Sequence, residues 1–170
     1  MIDYLAQRTA EHIKQVIPEH PASIAVLKYA LLIVINTLGI VLMTILFSSL
    51  LGTFEHAMII MIVFALLRQL TGGYHLQSGV SCIVVSSSLF VALSLVTFSD
   101  LYCIIFTCMS ILLILIFAPS NIHKQSRIPK KYYSLLKIAG CLLVATNLYV
   151  LSVPFALASL AQSVTLIRRR

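Results

Sequence analysis

Long stretches without a charged side chain, separated by short polar breaks, constrain this sequence more than any other feature. Residues 29–51 carry no charge at all and are numerous enough to cross a hydrocarbon core as one helix. Further apolar runs cover 54–70, 79–98, 101–118, 135–152 and 154–167. The last two are read as separate short spans because one helix over 135–167 would measure about 50 Å, with Pro154 offering a break. Only 10% of the residues are charged and 60% are hydrophobic, with a mean hydropathy of +1.03. Soluble domains are nearer a quarter charged, and a soluble core of 170 residues could not hide so much apolar surface. The expected fold class is an all-α integral membrane protein with about six transmembrane helices.

Charge sets the expected orientation. With six spans and both termini cytoplasmic, all twelve Lys and Arg fall on the inner side, while Glu55 and Asp100 mark the outer turns. Five spans would strand Arg168, Arg169 and Arg170 outside. Ahead of the spans, segment 1–24 places Ile2, Leu5, Ala6, Ile13, Val16 and Ile17 on one helical face before Pro18 and Pro21. That pattern fits an amphipathic interfacial helix, and a solvated tail with helical bias fits it equally. Residues 25–170 then form a polytopic domain. The polar opening shows no cleavable signal peptide.

The four cysteines, Cys82, Cys103, Cys108 and Cys141, lie in or beside apolar runs. They form neither a disulfide framework nor a Cys-x-x-Cys pair, and no His/Cys cluster has zinc spacing. No metal, cofactor or nucleic-acid partner is expected. The segment 68–82 stands out instead, because it sets Arg68, His75 and Cys82 beside membrane, where ionisable groups are costly and mark function. On one continuous helix His75 and Cys82 would stand roughly 10 Å apart along the axis, too far for a nucleophile and its base. The chain must fold back between them, and Gly72, Gly73 and Gly79 permit this. Ser78 fits the N-cap of the next helix, which puts Cys82 at the end of its first turn. There the helix dipole favours a thiolate and unpaired N–H groups offer an oxyanion site. His75 would move the proton, oriented by a backbone carbonyl, Gln77 or a serine, since Glu55 and Asp100 fall on the opposite membrane face. The plainer alternatives are a packing cysteine, a solvated histidine and an Arg68 that snorkels to head groups.

Arg68, then Gly73-Tyr74-His75, then six residues to Cys82 after a short second span resembles the accessory gene regulator B family. Phe117-Ala118-Pro119 before a Lys/Arg-rich loop, the length and the span count extend the resemblance over most of the chain. The family consists of bacterial membrane cysteine endopeptidases that process quorum-sensing propeptides. The resemblance implies His75 and Cys82 as a catalytic dyad in the cell membrane, supported by Arg68, Gly73, Gln77 and Ser78. It also implies a propeptide substrate with an acidic C-terminal tail, a thioester acyl-enzyme, a thiolactone or lactone product, and a homodimer. An acidic tail suits the basic loop 119–134 with Lys124, Arg127, Lys130 and Lys131, which is also placed to touch anionic lipid. The first polar residue after Ala30 is Asn36, whereas some members carry an amide or acid earlier in that span. Two other functions fit the sequence: a thiol enzyme that hydrolyses or transfers without cyclising, and a small peptide transporter or exporter without peptidase activity.

Overall fold

The computed structural model describes residues 2–19, 21–73, 78–120 and 129–167, with only the backbone given for Lys130. Helices account for the ordered elements, and the single β-bridge among the described residues joins Gly72 to Ser120. Helix α1 (Ile2–Val16) is the amphipathic opening, with Asp3 in its first turn and Lys14 in its last, each favourable to the dipole. Its inward face is made by Ala6 and Ala10, both fully buried, while Tyr4 and Leu5 point outward. Small residues one turn apart let α1 lie close along α2, with which it makes one of its main contacts.

Helix α2 (Ile24–Leu50) starts at Ser23, whose hydroxyl accepts the Val26 N–H. Only Thr44 and Ser48 are buried along its 27 residues, and Ile33, Leu42, Leu46 and Leu50 are exposed. Leaving one such side chain in water rather than burying it costs roughly 1.5–3 kcal/mol, so this face requires lipid. Helices α3 (Phe54–Thr71) and α4 (Gly79–Ser94) form a hairpin. Its far end is fastened where the Thr53 and Ser94 hydroxyls meet at 2.8 Å and His56 Nδ1 lies 3.4 Å from the Ser94 carbonyl. The apolar run over 79–98 is helical only to Ser94. There the Ser94 hydroxyl donates to the Val91 carbonyl and helps to close the last turn.

Helix α5 (Asp100–Phe117) is followed by a 3₁₀ turn (Lys130–Tyr132) and by α6 (Tyr133–Ala145), α7 (Asn147–Val150) and α8 (Val153–Val164). The break between α7 and α8 is built around Asn147, which accepts the Ser152 N–H and donates to Thr107. Leu151 takes a left-handed conformation there, and Pro154 sits in the first turn of α8, where its missing N–H costs nothing. Helix α8 is the interior element, packed against α3 and α5 with Ala156, Ala158, Ser159 and Ser163 fully buried. Its 12 residues amount to about 18 Å. The core joins Ile60, Phe64 and Leu67 of α3 to Phe90, Ile114, Val144 and Leu166, with the Phe64 and Phe90 rings edge to face at 5.1 Å. Among the described residues, four helical stretches are long and apolar enough to cross a membrane: α2, α3, α5 and Tyr133–Val150; α4 and α8 are shorter. The protein is an all-α membrane protein.

Candidate active site

The open end of the α3–α4 hairpin carries the chemistry-bearing residues. Ser78 occupies the N-cap of α4 with an extended backbone, but its hydroxyl makes no capping bond. The Ser78 carbonyl accepts the Cys82 N–H at 2.9 Å, the first hydrogen bond of the helix. Cys82 therefore uses its own amide within the helix. The first-turn amides without an intrahelical carbonyl belong to Gly79, Val80 and Ser81, and the Ser78 side chain leaves them uncapped.

Cys82 is buried, at 6% exposure, and is a free thiol. Its Sγ lies 3.9 Å from the Ser86 Oγ, one turn along the same helix. It opens onto a cavity of about 430 Å³ between α2, α3 and α4, lined by Asn36, Phe64, Arg68, Gln69, Cys82 and Ser86 among others. Arg68 enters this space from the last turn of α3 and is within electrostatic reach of Cys82. A cation at a helix C-terminus is favoured by the dipole, and here it also faces the thiol across the cavity.

The strand of chain leaving α3 is held from two directions. The Gly73 N–H donates to the Ser120 carbonyl at 2.9 Å and the Ser120 N–H donates to the Thr71 carbonyl at 3.0 Å. From α8, Gln162 Nε2 donates to the Gly72 carbonyl at 2.6 Å and to the Thr71 hydroxyl at 3.3 Å. Gly72 has φ +76° and Gly73 φ +129°, conformations that side chains rarely adopt.

Of the residues singled out in the sequence, the structure brings Cys82 and Arg68 to one cavity, places Ser78 at the start of α4 and ties Gly73 to Ser120. His75, Gln77, Lys124 and Arg127 lie outside the described residues. Lys131 is exposed, with its ammonium 4.9 Å from the Tyr132 ring centroid, and the backbone of Lys130 starts the same 3₁₀ turn. Two residues carry more of the site than their sequence positions suggested. Asn36 faces the cavity, and its Oδ1 is buried without a hydrogen-bond partner. Gln162 is 1% exposed and reaches the turn before His75. The signal in both cases was an amide inside an otherwise apolar stretch.

The family model for accessory gene regulator B, AgrB, matches residues 1–166. The chain belongs to the AgrB family. Comparison with curated proteins and with solved structures gives no significant match. AgrB membership makes this a peptidase-like membrane protein of quorum-sensing propeptide processing.

Proposed function

We propose that this AgrB protein is a cysteine endopeptidase and cyclase in a bacterial cell membrane, with Cys82 as nucleophile and His75 as its base. The observation that carries the reading is the Cys82 thiol, buried near the start of α4 and open to a cavity that Arg68 also enters. His75 takes the thiol proton, and the Cys82 thiolate attacks a peptide carbonyl at the C-terminal side of the propeptide core. The Gly79–Ser81 amides, with the dipole behind them, favour the oxyanion. The intermediate collapses to a thioester on Cys82, and His75 returns the proton to the departing amine of the acidic tail. The propeptide's own thiol, deprotonated by His75, then attacks the thioester. Cys82 leaves as thiolate and recovers its proton, and a thiolactone is released. One thioester replaces another, so closure needs no ATP, and keeping water from the site while the peptide thiol waits would favour ring over hydrolysis.

Two further features support the substrate class. Ser120, where the basic loop begins, is hydrogen-bonded to Gly73, so the Lys/Arg-rich segment and the segment carrying His75 start from adjoining residues. An acidic tail bound by Lys124, Arg127, Lys130 and Lys131 would thus hang beside the scissile bond, on a chain whose net charge is +7. Asn36 offers its unpaired carbonyl to a peptide N–H within the cavity. We place this site on the cytoplasmic side of a multi-pass bundle, because that assignment puts every Lys and Arg inside.

The deciding experiment requires no substrate. With Cys103, Cys108 and Cys141 changed to Ser, the rate of Cys82 alkylation by iodoacetamide is measured in membranes with and without His75→Ala. The reading requires a fast reaction that slows when His75 is removed. A slow thiol indifferent to His75 would overturn it. Once a propeptide is in hand, product mass separates cyclisation from hydrolysis, since ring and linear acid differ by one water.

A further inference from the structure

Gln162 lies on the last helix, far in sequence from the Arg68–Cys82 segment, yet its side chain ends on that segment. Its amide is fully engaged. Nε2 gives its hydrogens to the Gly72 carbonyl at 2.6 Å and the Thr71 hydroxyl at 3.3 Å, and Oε1 receives the Thr165 hydroxyl at 3.2 Å. The orientation is dictated by its partners, because only the NH₂ end can donate to a carbonyl. Thr71 in turn donates to the Leu67 carbonyl, so its oxygen is left to accept. A buried glutamine is expensive to hold in an apolar bundle unless every polar atom is satisfied. Here those bonds are made to the C-terminal turn of α3 and the backbone just beyond it, the point at which the chain departs toward His75.

The same point is crowded by design of the sequence. A Cβ on Gly73 would fall 2.6 Å from Thr165 Oγ1 and 3.3 Å from Gln162 Nε2. Gly72–Gly73 is thus pressed against α8 on one side and bonded to Ser120 on the other. Helix α8 is the best-buried helix of the molecule's core and a rigid place from which to hold a loop.

We propose that Gln162 is a positioning residue for the catalytic segment: its amide fixes the direction in which Gly72 and Gly73 leave α3, and so sets where His75 stands relative to Cys82. This rests on the peptidase reading only for its effect on His75; the tie to Gly72 stands apart from it. Gln162 touches no reacting atom in this scheme.

The test uses the full-length protein in membranes or detergent, with Cys82 as its sole cysteine, and two readouts. One is the acceleration of Cys82 alkylation by iodoacetamide that depends on His75; the other is amide exchange at Gly73. Gln162→Met keeps the volume and removes the donor. It should abolish most of the acceleration, and Gln162→Met with His75→Ala should react no more slowly than His75→Ala alone. Exchange at Gly73 should speed up about tenfold, the scale of one lost hydrogen bond. Thr165→Val, which releases the Oε1 end of the amide together with the 2.7 Å bond from the Thr165 hydroxyl to the Gln162 carbonyl, leaves the Nε2 bonds in place; it should move both readouts the same way by less, and serves if Gln162→Met fails to fold. Ser163→Ala is the control. It removes buried bonds from α8 to the Ser110 and Ser159 carbonyls without touching the turn, and should leave both readouts unchanged. Unaltered exchange at Gly73 in the Gln162 variant, or an equal response to Ser163→Ala, overturns the proposal. If the parent protein shows no dependence on His75, the peptidase reading fails while Gly73 exchange still decides whether Gln162 holds the turn.

Discussion

A Cβ placed on Gly73 would stand 2.6 Å from the Thr165 hydroxyl oxygen, so the end of α8 and the chain leaving α3 fit as they stand only when residue 73 has no side chain. The φ of +129° imposes a second, independent requirement for glycine. Gly73→Ala should therefore lose Cys82-dependent processing and cost about 1–3 kcal/mol of stability from the backbone conformation alone. Adding Thr165→Ala removes the clash but leaves the backbone term, and it also gives up the Thr165 bonds to Gln162, so the double variant should regain stability only in part when compared with Thr165→Ala alone. Melting curves of the three variants in detergent test this. A double variant as stable as Thr165→Ala alone would show that the clash alone mattered, and a full Gly73→Ala cost in the Thr165→Ala background would show that it did not matter at all.

A second close approach supports the same turn from beneath. A Cβ on Gly140 of α6 would lie 2.9 Å from the Thr71 Cγ2 methyl, in the manner of small residues that let membrane helices pack tightly. Gly140→Ala should destabilise by about 1–3 kcal/mol, the usual range for overpacking. Thr71→Ser removes the offending methyl and keeps the hydroxyl that accepts from Gln162. The pair should be non-additive, with the double variant close to the parent in melting temperature and in Cys82 reactivity. Simple additivity would place the cost of Gly140→Ala elsewhere.

Cys82, Cys108 and Cys103 should separate cleanly. Cys82→Ala should abolish propeptide cleavage and leave the fold intact. Cys108 is exposed, and Cys108→Ser should change stability by less than about 0.5 kcal/mol. Cys103 is fully buried and accepts from Asn147 Nδ2 at 3.5 Å. Cys103→Ala should thus lower the melting temperature, whereas Cys103→Ser retains an acceptor for Asn147 and should be milder. Processing should survive all three changes once corrected for folded protein. Loss of turnover in Cys103→Ser at unchanged melting temperature would assign that thiol a role it lacks in the present scheme.

These dependencies also mark what sequence could disclose. The membrane class, the opening amphipathic helix and the polar break around Cys82 were legible because each is written in local hydropathy or in glycine and capping chemistry. Ser78 at the start of α4 is a case in point, although its hydroxyl does not make the bond its position suggests. The interior place of α8 was not legible. An apolar helix reads alike whether it faces lipid or other helices, and only its run of Ala and Ser hints at close packing. Gln162 and Gly72 stand 90 residues apart, so no local pattern joins them. The same holds for the meeting of Ser120 with Gly73. The amides were visible as polar residues in apolar stretches, and what they bonded to was a matter of tertiary structure.

Asn36 gives the last prediction, and it sets stability against function. Its Oδ1 is buried beside the cavity without a partner, and the position of a Cβ on Gly79, at the first turn of α4, is 3.8 Å away. An unsatisfied buried acceptor costs about 1–3 kcal/mol, which a side chain of similar size and no polar atoms would not incur. Asn36→Leu should therefore raise the melting temperature of the protein. If the carbonyl serves a peptide N–H in the bound state, the same change should weaken turnover of a propeptide by about tenfold, the scale of one hydrogen bond. Alkylation of Cys82 without substrate should stay as it was, because Asn36 contributes to the peptide and not to the thiol. A variant that melts lower would mean that Asn36 is satisfied in the membrane by a group of the fold. One that melts higher with undiminished turnover would remove Asn36 from the peptide's path.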